Sequence, residues 1–191
     1  MISLDFSFSD HPTPELVGEG VVLRPPAMRD HAEWKSLREE SFDHLTRWEQ
    51  AWAPRDLSVE AYRIRLRSYA RDARIGVGRS WFVVRAGDGA LVGGVTLSDI
   101  RAAPFKSAIA GYWIGVPYLR QGLGAAALGA VISHAFGGLA LNRLEAACQS
   151  DNQASRRLLG RCGFEEEGLA RAYLFINGAW RDHLRFSRLA N

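Results

Sequence analysis

Apolar and polar positions recur along this chain in two rhythms, and the change between them falls near residue 80. Before it, helical spacing dominates. A short apolar run at Gly20–Arg24 reads as a strand stopped by Pro25-Pro26. Ala32, Trp34 and Leu37 then mark a helix from a cap at Asp30 to about Glu40. Ser58 can cap a second helix, whose Val59, Tyr62, Leu66, Tyr69 and Ala73 share one face. Beyond residue 80 the period falls to two. Residues 80–85 and 91–97 read as strands joined at Asp88-Gly89, a pair suited to a type I′ hairpin turn. A third strand runs from Ala108 to Val116, and an apolar helix from about Gly122 to Phe136 is stopped by Gly137-Gly138. Another strand spans Arg143–Cys148, and Ser150-Asp151-Asn152 opens a short helix ending near Cys162-Gly163. Tyr173–Ile176 and Ala179–Phe186 flank Asn177-Gly178, the strongest short hairpin signal in the chain. The order predicts a mixed α/β sheet in a single domain over residues 19–191, after an irregular lead-in at 1–18 that contains His11-Pro12-Thr13-Pro14.

Composition narrows the class. With 191 residues, 47% hydrophobic, 24% charged and a net charge of +3, the chain has neither the low hydrophobicity nor the high charge of a disordered protein. Its longest apolar stretch, Leu123–Leu141, is broken by His134 and four glycines, so it reads as a buried segment and not a membrane span. Met1-Ile2-Ser3-Leu4-Asp5 has no basic or apolar region of a secretion signal, and the two cysteines, Cys148 and Cys162, form no disulfide framework. A cytoplasmic protein with reduced thiols is expected. Of 24 basic residues 22 are Arg, a skew that codon bias explains together with the Ala-rich composition. Arg63, Arg65, Arg67, Arg71 and Arg74 crowd the polar faces of the second helix; a solvated face is favoured there over a nucleic-acid surface, because the aromatics lie on the core side. No His/Cys spacing suits a metal.

Chemistry concentrates between residues 114 and 164. Val116-Pro117-Tyr118-Leu119-Arg120-Gln121-Gly122-Leu123-Gly124-Ala125 joins a strand to a helix. The first-turn N–H groups of a helix have no intrahelical partners, and with the helix dipole they suit a diphosphate. No Lys-Ser/Thr follows, which excludes a P-loop. Gly122-x-Gly124-x-x-Ala127 with Glu145 matches a dinucleotide fingerprint, the basis of a rival oxidoreductase reading. That fold needs a second βαβαβ half, and fewer than 70 residues remain, reading as one short helix and a hairpin. Close helix packing is the plain alternative for these glycines. If they cradle a ligand, a bulky residue at Gly122 is expected to weaken binding and leave the fold intact.

About 30 residues on stands Asn152-x-x-Ser155-x-x-Leu158-x-x-x-Cys162-Gly163-Phe164. In this order and spacing the two motifs resemble the GCN5-related N-acetyltransferase (GNAT) superfamily, in which a strand–glycine loop–helix precedes an Asn-led helix ending in Gly-Phe. The tail from Gly163 through Asn177-Gly178-Ala179-Trp180-Arg181-Asp182-His183 is similar to the RimJ-type ribosomal-protein-alanine N-acetyltransferases, as are Gly111-Tyr112-Trp113-Ile114-Gly115 and Leu45-Thr46-Arg47-Trp48-Glu49. The resemblance covers roughly residues 16–189. It implies a GNAT fold, a mixed, mostly antiparallel sheet with a splayed strand pair flanked by helices, and acetyl-CoA as donor. It assigns Ile114 and Val116 to the strand that pairs with pantetheine. The amides of Gln121, Gly122, Leu123, Gly124 and Ala125, with Arg120 beside them, fall to the diphosphate; Asn152 contacts the pantetheine arm and Ser155 lies near the thioester sulfur. Two positions depart from the family pattern: Leu119 where Arg or Gln is frequent, and Leu159 where many relatives carry a Tyr that protonates the leaving thiolate. The branch suggests Ser155 instead.

Direct attack on a thioester needs a neutral amine, an oxyanion donor and a proton for the thiolate. An α-amine, with a pKa of about 8, requires no powerful base. The Val116 N–H is the oxyanion candidate, Glu49 and Asp99 are candidate bases that also rank as ordinary polar residues, and Trp48, Glu49 and Asp99 are the candidate acceptor residues. His134 reads as a satisfied core histidine. The expected activity is acetyl transfer from acetyl-CoA to a primary amine, through a ternary complex without a covalent intermediate. The acceptor the resemblance implies is a protein N-terminus, with a ribosomal protein as partner; no membrane or sequence-specific nucleic acid is expected. A small-molecule amine as acceptor, or a non-catalytic acyl-CoA-binding module, are the alternatives, the latter motivated by Leu159.

Overall fold

The computed structural model describes residues 13–190; the expectations for Met1–Asp5 and His11-Pro12 lie outside them. Eight strands form one sheet: β1 (Leu16–Gly18), β2 (Val21–Arg24), β3 (Arg79–Arg85), β4 (Leu91–Arg101), β5 (Ser107–Ile114), β6 (Arg143–Gln149), β7 (Glu165–Ile176) and β8 (Ala179–Leu189). Their order is β1-β2-β3-β4-β5-β6-β8-β7. Every pairing is antiparallel except β5–β6, which needs a crossover and obtains it from helix α4 (Leu123–Ser133). A sheet with one parallel pair cannot be a doubly wound dinucleotide fold, and the oxidoreductase reading ends there. The remaining helices are α1 (His31–Glu40), the single turn α2 (Phe42–Leu45), α3 (Val59–Arg74) and α5 (Gln153–Arg161).

Period-two alternation sends neighbouring side chains to opposite faces. On one face Trp81 and Val83 of β3, Ala108 and Ala110 of β5 and Leu144, Ala146 and Cys148 of β6 pack with Leu128, Val131 and Ile132 of α4 and Leu159 of α5. On the other, Phe82 and Leu91 meet Trp34, Leu37 and Tyr62 from α1 and α3. The α3 arginines at 63, 65, 67, 71 and 74 are all exposed.

Several local expectations need correction. Leu16–Gly18 is a strand and not lead-in, because it pairs with Val21–Leu23. Asp30 does not cap α1 with its side chain. Its buried carboxylate instead takes both nitrogens of Arg24, at 2.8 and 2.7 Å, and the Ala27 N–H at 2.8 Å, closing the preceding 3-10 turn. Asp88-Gly89 is not a two-residue type I′ turn. Strands β3 and β4 are joined by residues 86–90, only Gly89 has positive φ, and Asp88 accepts from Arg85 and the Ala90 N–H. The apolar helix ends at Ser133 and passes into a π turn, His134–Gly138. Ser58 does cap α3, accepting from the Ala61 N–H, and Asn177-Gly178 has the two positive φ values, 50° and 80°, of a type I′ turn.

Candidate active site

The sheet forks in its middle. β5 pairs with β6 only through Ser107–Ile109, opposite Arg143–Glu145, whereas its pairing with β4 continues to Ile114. β6 meanwhile follows β8 to Gln149. Residues 110–114 of β5 and 146–149 of β6 therefore diverge, and the β6-facing backbone groups of β5 have no sheet partner there. Such groups need a partner, which a ligand lying in the fork can supply. Gly94 helps fix the β5 end of the fork: a Cβ there would lie 2.6 Å from Trp113 Nε1, so glycine lets the indole lie on β4.

Past the fork, the strand ends at Ile114 and a 3-10 turn, Val116–Tyr118, begins. Val116 thus falls outside the strand expected to reach it, and its N–H donates to the buried Ser41 Oγ at 2.9 Å. With that hydrogen already committed, the Val116 amide is not the oxyanion donor. Pro117, second in the 3-10 turn, suits its start because its φ is fixed and its missing N–H would have had no partner there. Arg120 and Gly122 then take left-handed conformations, φ 62° and 80°. Among the described residues the N–H groups of Gln121, Gly122, Leu123 and Gly124 make no hydrogen bond, while Ala125 donates to the Gly122 carbonyl at 3.0 Å. Four free amides thus stand at the N-terminus of an eleven-residue helix, an arrangement that suits an anion, while the Ala125 amide is already bonded. The two glycines differ in purpose. A Cβ at Gly122 would meet nothing within 4 Å, so the left-handed backbone and the open space beside it are what require glycine there. A Cβ at Gly124 would lie 2.9 Å from Leu158 Cδ1, so that glycine serves helix packing. The Arg120 side chain is exposed, with no hydrogen bond or ion pair among the described residues. A second cation flanks the loop: Arg85 lies over the Tyr118 ring at 5.1 Å and reaches Gln121 Oε1 at 3.4 Å.

Asn152 caps α5, its Oδ1 accepting the Ser155 N–H at 3.0 Å. That bond sets the first turn of α5 against the fork. The Ser155 hydroxyl is 2.7 Å from the Tyr112 hydroxyl, so α5 and β5 are joined by one side-chain bond beyond the last β5–β6 rung. Tyr112 was not singled out by sequence; the available signal was a polar side chain in phase with the buried Ala108 and Ala110. Leu159 is wholly buried in the core. Cys148 and Cys162 are buried free thiols whose pKa values burial pushes up, which makes them poor nucleophiles.

On the other face, the segment after α2 is held against the end of the fork. Arg38, buried, lies between the rings of Trp52 and Trp113 at 4.8 and 5.1 Å and grips Glu49 with its Nη2 at 2.5 Å from Oε1. Burial lowers the Arg38 pKa while Glu49 opposes the shift. Trp52 Nε1 also donates to Glu49 Oε1 at 3.0 Å. The Glu49 carboxylate is therefore an anchor within a cation–aromatic box, and not a base waiting for a proton. The half-buried Trp48 lies beside it under the Arg47 guanidinium, 5.0 Å away. Two further ties hold this segment. Gln149, at the end of β6, donates to the Arg47 carbonyl at 3.1 Å. Asn177, at the β7–β8 turn, donates to the Thr46 carbonyl and accepts from the Ala51 N–H at 2.8 Å. Sequence reasoning named Asn177 only as a turn residue. Asp99 is placed elsewhere: it ion-pairs with Arg101 and lines a cavity of about 280 Å³ with Ile109, Glu145, Tyr173 and Arg185. No described contact brings it to Glu49 or Ser155.

The Acetyltransferase (GNAT) domain family matches the chain over residues 21–165. The chain is 30% identical over 168 residues to the "Probable N-acetyltransferase YjcK" of Bacillus subtilis, covering 88% of this chain and 93% of that protein. It is 36% identical over 94 residues to the "[Ribosomal protein uS5]-alanine N-acetyltransferase" of Escherichia coli, about half of each chain (49% and 48%). Its fold is similar to that of Mycobacterium smegmatis RimJ in complex with CoA-disulfide, with a TM-score of 0.86 and 32% identity over 93% of this chain and 86% of that one.

Proposed function

The chain belongs to the GNAT acetyltransferase family, and on that premise we propose that it transfers acetyl from acetyl-CoA to the N-terminal amine of a protein, by direct attack in a ternary complex. The observation that carries this reading is the sheet fork ending at four unpartnered amides, with Ser155 at its inner wall. The cradle at Gln121–Gly124 takes the diphosphate, assisted by the Arg120 and Arg85 guanidinium groups. The pantetheine arm lies along 110–114 and bonds the free backbone of β5, with the Asn152 side-chain amide beside it. Helix capping uses only the Asn152 oxygen, which leaves its NH₂ for the ligand.

In the reaction the amine lone pair forms a C–N bond to the thioester carbonyl and the C–S bond breaks. The β6-facing amides of β5 replace the Val116 N–H as oxyanion donors. Ser155 gives its proton to the departing sulfur. An α-amine with a pKa of about 8 is about one-quarter neutral near pH 7.5, and the proton released after its attack passes to solvent. The acceptor assignment draws on the uS5-alanine and RimJ relatives. Trp48 and the Arg38–Glu49 box form the wall against which the acceptor N-terminus lies. The test is CoA release with a peptide beginning Ala-Arg against a panel of small amines. Turnover of the peptide, with Trp48→Ala lowering its kcat/KM about tenfold at unchanged acetyl-CoA affinity, is the expected result. Turnover of a small amine alone would overturn the protein acceptor. Binding of acetyl-CoA without release on any acceptor would favour the non-catalytic module.

A further inference from the structure

The reading of Ser155 leaves a difficulty, and the residue opposite it resolves that difficulty. A serine hydroxyl rotates freely, and its proton can point at any acceptor within reach. To serve a leaving sulfur it must point into the fork at the moment the C–S bond breaks. Ser155 is fixed at its backbone by the Asn152 cap. Its side chain bonds the Tyr112 hydroxyl at 2.7 Å, and the buried Cys148 thiol also lies within hydrogen-bond reach of it.

We propose that Tyr112 is a positioning residue for acetyl transfer: its phenol donates to Ser155 Oγ and so turns the serine proton toward the thioester sulfur. Either hydroxyl can donate in this pair, and only donation by Tyr112 leaves the serine proton free. Tyr112 stands on the diverging part of β5, one position beyond Gly111, in phase with the buried Ala110 and so on the sheet face that carries α5. The phenol oxygen has Ser155 as its one described partner. If the serine were the donor, its proton would be committed to Tyr112 and none would face the sulfur.

Burial holds the Tyr112 phenol well above its ordinary range, with the Ser155 hydrogen bond only partly opposing. The phenol therefore stays protonated through the working pH range and is a permanent donor. It is not the acid itself, because its one described bond runs to Ser155 Oγ. The proton balance is short: as Ser155 Oγ–H goes to the sulfur, Oγ takes a proton from solvent in the same step, so that no alkoxide forms. Tyr112 keeps its own throughout.

This inference rests on Ser155 as proton donor, and a double-mutant cycle separates the two claims. The variants are Tyr112→Phe, Ser155→Ala and the pair, each assayed for kcat, acetyl-CoA KM and thermal midpoint. Ser155→Ala is expected to lower kcat about a hundredfold, within the range for a placed proton donor. Tyr112→Phe is expected to lower kcat about tenfold with acetyl-CoA KM within about twofold of wild type. In the Ser155→Ala background Tyr112→Phe should lower kcat no further, because the hydroxyl it orients is gone. A Tyr112→Phe enzyme with wild-type kcat beside a slowed Ser155→Ala would overturn the positioning role alone. So would losses that multiply in the double variant, or a Tyr112→Phe loss that appears in KM and not in kcat. Wild-type kcat in Ser155→Ala would remove the proton donor and this inference together. Where Tyr112→Phe does not fold, 3-fluorotyrosine placed at 112 keeps the size and changes only donor strength; a shifted kcat at unchanged acetyl-CoA KM supports the role, and an unchanged kcat counts against it.

Discussion

Gly122→Ala tests the anion cradle with its own internal control. Gly122 and Gly178 share a φ of 80°, and a Cβ at either position would meet nothing within 4 Å. Alanine at each therefore costs the same backbone strain, about 1–2 kcal/mol for a left-handed L-residue, and no steric clash within the protein. For a chain of this size each kcal/mol lowers Tm by about 2–4 °C, so both variants should melt about 2–8 °C below wild type. The fold should stay intact in both, with the strain appearing only as lower stability. Acetyl-CoA affinity distinguishes them. Strain present in both free and bound states cancels from the dissociation constant, so only an added contact with ligand changes it. At Gly122 the new methyl group stands in the open space beside four free amides, and a loss of at least about 1.4 kcal/mol, tenfold in Kd, is expected. At Gly178 Kd should be unchanged. Isothermal titration of both variants with acetyl-CoA gives the comparison. Equal affinities for Gly122→Ala and wild type would refute the cradle, and an equal loss at both positions would show that destabilisation and not ligand contact controls binding.

Asn177→Ala removes the two bonds from the β7–β8 turn to the 46–51 segment; acceptor KM should rise several-fold while acetyl-CoA Kd stays constant, and stability should fall by about 1 kcal/mol. Asp30→Asn breaks the buried Arg24 pair and should cost about 3 kcal/mol near neutral pH, measured by urea unfolding. Burial works against the Asp30 carboxylate, but the Arg24 hydrogen bond and the Ala27 N–H hold its pKa below the ordinary value. A depressed folded pKa adds stability above the unfolded pKa of about 3.9 and loses it as pH falls through the folded one. The gap between wild type and Asp30→Asn should therefore be constant from pH 6 to 8 and close below about pH 4; a gap that widens in acid would refute the assignment.

The glycine loop, the Asn152 cap and the Asn177-Gly178 turn were legible in sequence because each depends on a few neighbouring residues. Free first-turn amides follow from a strand–glycine–helix order, and an Asn three residues before a Ser caps its amide with no help from elsewhere. Glu49 and Val116 show where this fails. Both were assigned by their position in the chain, and both had their hydrogen-bonding groups claimed by residues distant in sequence, Glu49 by Arg38 and Val116 by Ser41. Asp99 and Asn177 exchanged importance for the same reason: the acidic residue turned away to Arg101, and the turn residue reached back to Thr46 and Ala51.

Sequence alone thus determined the order of elements from β2 onward, the family to which the motifs point and the free amides at the start of α4, since these depend on propensity, capping and period along a few contiguous turns. The tertiary structure decided where β5 and β6 part, which amides remain free along the fork, and that Tyr112 stands against Ser155 across 43 positions of chain. A hydrogen bond between residues so far apart leaves no local pattern; it exists only because α4 carries the chain across the sheet and sets α5 down beside the open end of β5.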